Sequence, residues 1–158
     1  MLYQIERWID QTNLEYQGRR ISCSKFLDEF KGFYPLEFLQ QSYFVMVDII
    51  PKPNFSELRQ MGLGDYVDRE VHGITYKTTY YILPHLASDL RLHFHELVHV
   101  AQWQHLGAKA FMKRYITEIQ TSGYDEAPLE KMAYGLDSHF ANGGEKIHVP
   151  NYIAQKIQ

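Results

Sequence analysis

His95-Glu96-Leu97-Val98-His99 brings two imidazoles and a carboxylate together within five residues. On a helix, side chains four positions apart lie one above the other on the same face. His95 and His99 can then direct their rings at one metal ion. Glu96 lies one step round the helix, beside the ion rather than on it. That is where a general base for a metal-bound water belongs. A lone histidine on an apolar face is ordinarily a packing residue. Two at this spacing, with a glutamate between them, point to a zinc centre of the HExxH kind.

The local sequence supplies a helix to carry the motif. Ser88 and Asp89 are favourable N-cap residues, and no proline or glycine interrupts the chain from Leu90 until Gly107. Leu90, Phe94, Leu97, Val98 and Ala101 form an apolar stripe. The spacing therefore predicts one largely buried helix over residues 89–106, with both histidines near its middle.

A catalytic zinc takes three protein ligands and leaves a position for water. Glu130 is the expected third ligand. It falls in a predicted helix over residues 125–140, one helix and one loop beyond the motif, so the chain can return and pack the second helix on the first. Ala133, three positions on, permits close approach. Glu126 precedes Glu130 by four residues and shares its face on this reading. Glu126 or Tyr134 then orients a ligand from behind, and the two glutamates are interchangeable on spacing alone. His105 is the rival ligand, six residues after His99 as in the metzincin pattern HExxHxxGxxH. Gln102 stands where that pattern has its chain-bending glycine. In an unbroken helix six residues turn through roughly 600°, about 120° short of two turns, which carries His105 off the metal face. His72, His85, His93, His139 and His148 are expected to serve packing or the surface, with His85 near the cleft.

The remaining chain reads as a frame for these groups. At 158 residues it suits one domain, with an N-terminal portion (1–70) and a metal-binding core (71–140). Helices are expected near 1–12, 24–30, 36–41, 56–61 and 108–119. A buried strand is expected at 43–50 and a strand or strand pair at 71–83, with Gly73 marking a turn or bulge. The net charge of -3, with no basic block, gives no support to nucleic-acid binding. No apolar run is long enough to span a bilayer, and MLYQIERWIDQ lacks the character of a secretory signal. Cys23 is the only cysteine, so no disulfide forms within the chain. These features point to a cytoplasmic protein without a membrane or nucleic-acid partner.

Residues 74–136 resemble the gluzincins, metallopeptidases that pair an HExxH helix with a glutamate ligand on a later helix. The likeness is greatest to small bacterial zincin-like domains. It rests on Ile74-Thr75-Tyr76, His95 to Trp103, Gly107, Phe111, Tyr115, Tyr124, Pro128-Leu129-Glu130 and Ala133, under half the chain. The resemblance implies His95, His99 and Glu130 as zinc ligands and Glu96 as base. Many gluzincins have an acidic residue four after the glutamate ligand, where this chain has Tyr134. The implied fold is α+β and zincin-like, a small mixed β-sheet packed on the HExxH helix with a glutamate-bearing helix behind it. The implied substrate is a peptide or protein, bound in extended form along the strand region 74–83.

The expected function is therefore zinc-dependent peptide hydrolysis, with Glu96 taking a proton from the zinc-bound water and passing it to the leaving amine. Tyr81, Tyr124 and Tyr134 are the candidate donors to the oxyanion. Two other functions fit the same residues: a non-catalytic zincin-fold binding module, and a metal-dependent hydrolase of a non-peptide substrate.

Overall fold

The structure is a computed structural model that describes residues 1–157. Along the chain come α1 (Leu2–Glu15), β1 (Ile21–Ser22), α2 (Leu36–Gln40), β2 (Tyr43–Met46), α3 (Ser56–Gln60) and α4 (Gly64–Asp68). A hairpin follows, β3 (Gly73–Tyr76) and β4 (Thr79–Ile82), and then α5 (Leu90–Leu106), α6 (Ala108–Ser122), α7 (Pro128–Ala141) and α8 (Val149–Lys156). The architecture is mixed α+β.

α5 forms where the sequence places it. Asp89 caps it, its side chain accepting from Leu92 N at 3.1 Å. Gly107, at φ 82°, closes it and donates its N–H to Trp103 O at 2.8 Å. The same glycine starts α6, so the two helices meet at a one-residue corner. All eleven residues from His93 to Trp103 are buried. A helix hidden on every side must be surrounded, and α5 packs against α6, α7, α8, β3 and β4. Leu97, Val98 and Val100 are fully buried, each worth roughly 1.5–3 kcal/mol of apolar burial.

The four-stranded sheet has the order β1-β2-β4-β3. β2 and β4 run parallel, and the outer pairs are antiparallel. β3 is thus an edge strand, while β4 lies inside, so only the first half of the expected 74–83 region can receive another strand. The turn of the hairpin lies at Lys77-Thr78 and not at Gly73, which is an ordinary strand residue paired with Ile82. Lys77 takes the left-handed conformation at φ 63°, and its amine is held by Glu6 at 2.7 Å and Asp10 at 2.8 Å. That ion-pair clasp ties the hairpin tip to α1.

Several expected elements differ. The strand at 43–50 ends at Met46, although Val47 N still donates to Ile82 O at 2.9 Å. Residues 24–30 form a 3-10 turn (Cys23–Phe26) and successive tight turns instead of an α-helix, and Phe26, Phe30, Phe33 and Tyr34 are driven together into the core. α7 begins at Pro128, three residues after its expected start, because proline suits the first helical turn and holds the residue before it extended. α8 has no counterpart in the sequence reading. His148 Nδ1 caps it at Asn151 N, 3.2 Å away, and Val149, Ile153 and Ile157 bury themselves against the core. No helix among the described residues is long and apolar enough to cross a membrane.

Candidate metal centre

α5 and α7 bring the expected ligands together. Glu130 Oε1 lies 3.2 Å from His95 Nε2 and 3.1 Å from His99 Nε2. One donor atom from each of the three residues falls within 4.8 Å of the others, and all three side chains are buried. The opposite ring nitrogens are already engaged. His95 Nδ1 donates to Asp137 Oδ2 at 2.8 Å, and His99 Nδ1 donates to Gln102 Oε1 at 2.7 Å. The Gln102 amide is oriented in turn, because its nitrogen donates to Leu129 O at 3.1 Å. Both imidazoles therefore present Nε2 to the shared point. Glu130 Oε2 accepts from Tyr115 Oη at 2.5 Å, which leaves Oε1 alone to face the histidines. Two nitrogens and one oxygen, each oriented from behind, are a donor set that could hold a metal ion.

The supporting carboxylate is Asp137, seven residues after Glu130 and so two turns further along the same face of α7. Its other oxygen accepts from Arg91 Nε at 2.7 Å. Glu126 does not share the face of Glu130, because it precedes the helix; it is exposed and pairs with Lys131 at 3.1 Å. Tyr134 orients no ligand through a hydrogen bond. Its ring rests on His95, with centroids 4.5 Å apart. His105 faces away from the site and donates from Nε2 to Ile157 O at 2.7 Å, tying α5 to the end of α8. Replacing Asp137 by asparagine removes the charge behind His95. Zinc affinity, measured by competition with a chromophoric chelator, should fall about 10–100-fold. An unchanged affinity would show that Asp137 serves only the ion pair with Arg91.

Glu96 stands on the sheet side of the pair. Thr75 Oγ1 of β3 donates to its Oε1 at 2.8 Å. Gly73 makes room for the other oxygen: a Cβ there would lie 3.1 Å from Glu96 Oε2. β3 thus both positions Glu96 and leaves one of its oxygens free.

The electrostatics of the metal-free site follow from this packing. Burial alone would lower the pKa of His95, but hydrogen bonds to Asp137 and Glu130 outweigh it and raise the value to about 10. His99 is also raised, since the attraction of Glu130 overcomes its burial. Glu130 is held well below the usual carboxylate range, its burial outweighed by the two imidazoles. Burial raises Glu96, with the imidazoles and Thr75 opposing. Metal-free His95 should therefore keep its proton at neutral pH and lose it only as pH rises toward about 10. A metal ion held there would have to displace that proton, so metal affinity should climb with pH across the neutral range. Nitrogen NMR of the His95 ring in the metal-free protein checks this. A midpoint near 6.5, the ordinary imidazole value, would show that Asp137 and Glu130 do not hold the proton.

A cleft of about 400 Å³ lies on the His95 side, and a narrower, partly open pocket of about 90 Å³ lies on the His99 side. Val71, Gly73, Glu96 and Tyr124 line both, so the two spaces meet at the expected base. Tyr124 and Tyr134 line the cleft, where the Tyr124 hydroxyl hydrogen-bonds to Tyr134. Tyr81 is withdrawn from it, donating to Asn13 Oδ1 at 2.6 Å on the α1 side of the sheet. His72, not the exposed His85, reaches the cleft. His93 is a core residue, accepting from Tyr80 Oη at 2.6 Å and donating to Ala87 O at 2.8 Å. α3 and α4 contribute Leu58, Tyr66 and Val67 to the lining of the narrower pocket. Exposed ion pairs join α3 to α4 (Arg59 to Asp68) and the end of α4 to the start of the α7 loop (Arg69 to Asp125), both at 2.7 Å.

The chain matches no protein-family model, and no curated protein or solved structure shows significant similarity to it.

Proposed function

We propose that the protein is a zinc-dependent peptide hydrolase of zincin-like fold, working in the cytoplasm. The observation that carries this reading is the convergence of His95, His99 and Glu130 beside a separately held Glu96. When bound, zinc supplies Lewis-acid polarisation of the scissile carbonyl and acidifies a water. Glu96 takes a proton from the attacking water through Oε2, the oxygen that Thr75 leaves free, and delivers it to the departing amine. Thr75 fixes the carboxylate so that its free oxygen faces the junction of cleft and cavity. Of the hydrogen-bonded pair Tyr124 and Tyr134, which lines the cleft, one hydroxyl is the donor to the developing oxyanion on this reading. β3, as an edge strand, offers main-chain groups to an extended peptide passing Glu96. Cys23 is buried, and burial pushes its thiol up to about 12, an inert state that suits a reducing compartment.

The test has two stages. Metal analysis of wild type and His95→Ala should differ by about one zinc per chain. The zinc-loaded wild type should then cleave members of a mixed peptide library read by mass spectrometry. Equal zinc in the two proteins would overturn the metal centre. Zinc without cleavage of any peptide would favour a binding module, and hydrolysis confined to esters or small amides would favour a non-peptide hydrolase.

A further inference from the structure

Tyr66, from the short helix α4, stands in a cluster of tyrosines beside the candidate ligands. Its ring meets Tyr115 of α6 edge-on, with centroids 6.0 Å apart, and lies 6.0 Å from the ring of Tyr124. The Tyr66 and Tyr115 hydroxyls are hydrogen-bonded to each other. Burial pushes both phenols up, so both keep their protons at neutral pH. The Tyr115 proton is committed to Glu130 Oε2 at 2.5 Å, so its oxygen is left to accept and Tyr66 is the donor. The result is a directed chain in which each hydroxyl donates toward the carboxylate, Tyr66 to Tyr115 and Tyr115 to Glu130. Donation to a hydroxyl oxygen polarises its O–H and strengthens its own donation. The backbone that carries Tyr66 is itself held. Lys52 Nζ donates to Tyr66 O at 3.1 Å, to Val67 O at 3.4 Å and to Arg69 O. The same amine lies 5.4 Å from the centre of the Tyr66 ring.

We infer that Tyr66 is a positioning residue for Glu130: acting through Tyr115, it holds Oε2 so that Oε1 alone faces the two imidazoles. Its influence passes through one intervening hydroxyl. Without that grip the carboxylate can turn about its terminal bond, and the ligand geometry is lost from a share of the molecules. The consequence is a coupling between α4 and the metal centre. An ion that uses Oε1 favours the chain that fixes Glu130, and an intact chain favours α4 in its place, each by the same factor. The inference rests on the metal-centre part of the proposed function and needs no peptide hydrolysis.

Tyr66→Phe removes the hydroxyl and keeps the ring, and Tyr115→Phe does the same one step nearer the ligand. Zinc affinity, read by competition with a chromophoric chelator, should fall about 10–100-fold in Tyr115→Phe. In Tyr66→Phe it should fall about fivefold, the effect of one net hydrogen bond. The double variant should lose no more than Tyr115→Phe alone, because the chain is already cut. Metal-free protein supplies a second readout, proton NMR of the Tyr115 hydroxyl. Its resonance, placed downfield by the short bond to Glu130, should move upfield in Tyr66→Phe. The third readout is hydrogen exchange. Zinc should slow exchange of the α4 amides in wild type and leave them unchanged in Tyr115→Phe, a comparison that stands even if Tyr66→Phe fails to fold. Affinity losses that simply add in the double variant would overturn the inference. So would a Tyr66→Phe protein that is less stable to denaturant yet unchanged in zinc affinity and in the hydroxyl resonance, the mark of packing alone. A wild type that takes up no zinc would overturn the metal reading, and the hydroxyl resonance would then decide the chain. Unmoved in Tyr66→Phe, it overturns the role of Tyr66; moved upfield, it upholds it.

Discussion

Glu96→Gln should leave the chain folded and zinc-loaded while lowering peptide hydrolysis by about three orders of magnitude, within the range that a positioned general base contributes. The amide keeps the size of the carboxylate, and its oxygen can still accept from Thr75 Oγ1, now 2.8 Å from Glu96 Oε1. Glu96 supplies no donor atom to the cluster of His95, His99 and Glu130, so the ligand set is intact in the variant. Single-turnover cleavage, measured beside zinc content and circular dichroism, separates loss of chemistry from loss of metal. Cleavage that persists undiminished in the variant would assign the activity to another site.

The second large effect separates the two candidate third ligands. Glu130→Ala should weaken zinc binding by several orders of magnitude, more than the 10–100-fold that a supporting partner typically costs. It deletes the oxygen that both Nε2 atoms face and orphans the Tyr115 hydroxyl, 2.5 Å from the carboxylate. His105→Ala should leave zinc affinity unchanged, because its ring nitrogen is spent on Ile157 O at 2.7 Å. It should instead cost about 1 kcal/mol of stability, the worth of one part-buried hydrogen bond. Competition titration and denaturant unfolding read the two effects independently. The reverse outcome would mean that the chain bends after Gln102 when metal binds.

The parts of this structure that local chemistry dictates were legible in the sequence. Asp89 and Gly107 mark both ends of α5 through capping rules that need no knowledge of the fold, and the spacing of His95 and His99 fixes their common face. Glu130 was reachable because α6 and a loop return the chain. Asp137 was not singled out: a carboxylate two turns along a helix looks like any solvated residue until Arg91 and His95 are placed beside it. The offset of Glu126 from α7 turns on Pro128, a helix-start signal at the first turn that also holds Ala127 extended. The hairpin turn eluded pattern reading because Lys77 adopts a conformation that glycine or asparagine usually marks, stabilised by Glu6 and Asp10 from a distant helix. Residues 24–30 carry helical spacing, yet the mutual packing of their aromatic rings overrides it. The zincin-like fold itself, as distinct from its α+β class, rests on the resemblance and on the arrangement of the site.

α3 and α4, beside the narrower pocket, should differ from α5 in how readily their backbone opens. α3 and α4 are five residues each, too short to persist without support, and the ion pairs that tether them are exposed and individually weak. Their free energy of local opening lies well below that of α5, whose amides exchange with solvent only when the whole core comes apart. The amides of α3 and α4 should therefore exchange with solvent sooner than those of α5.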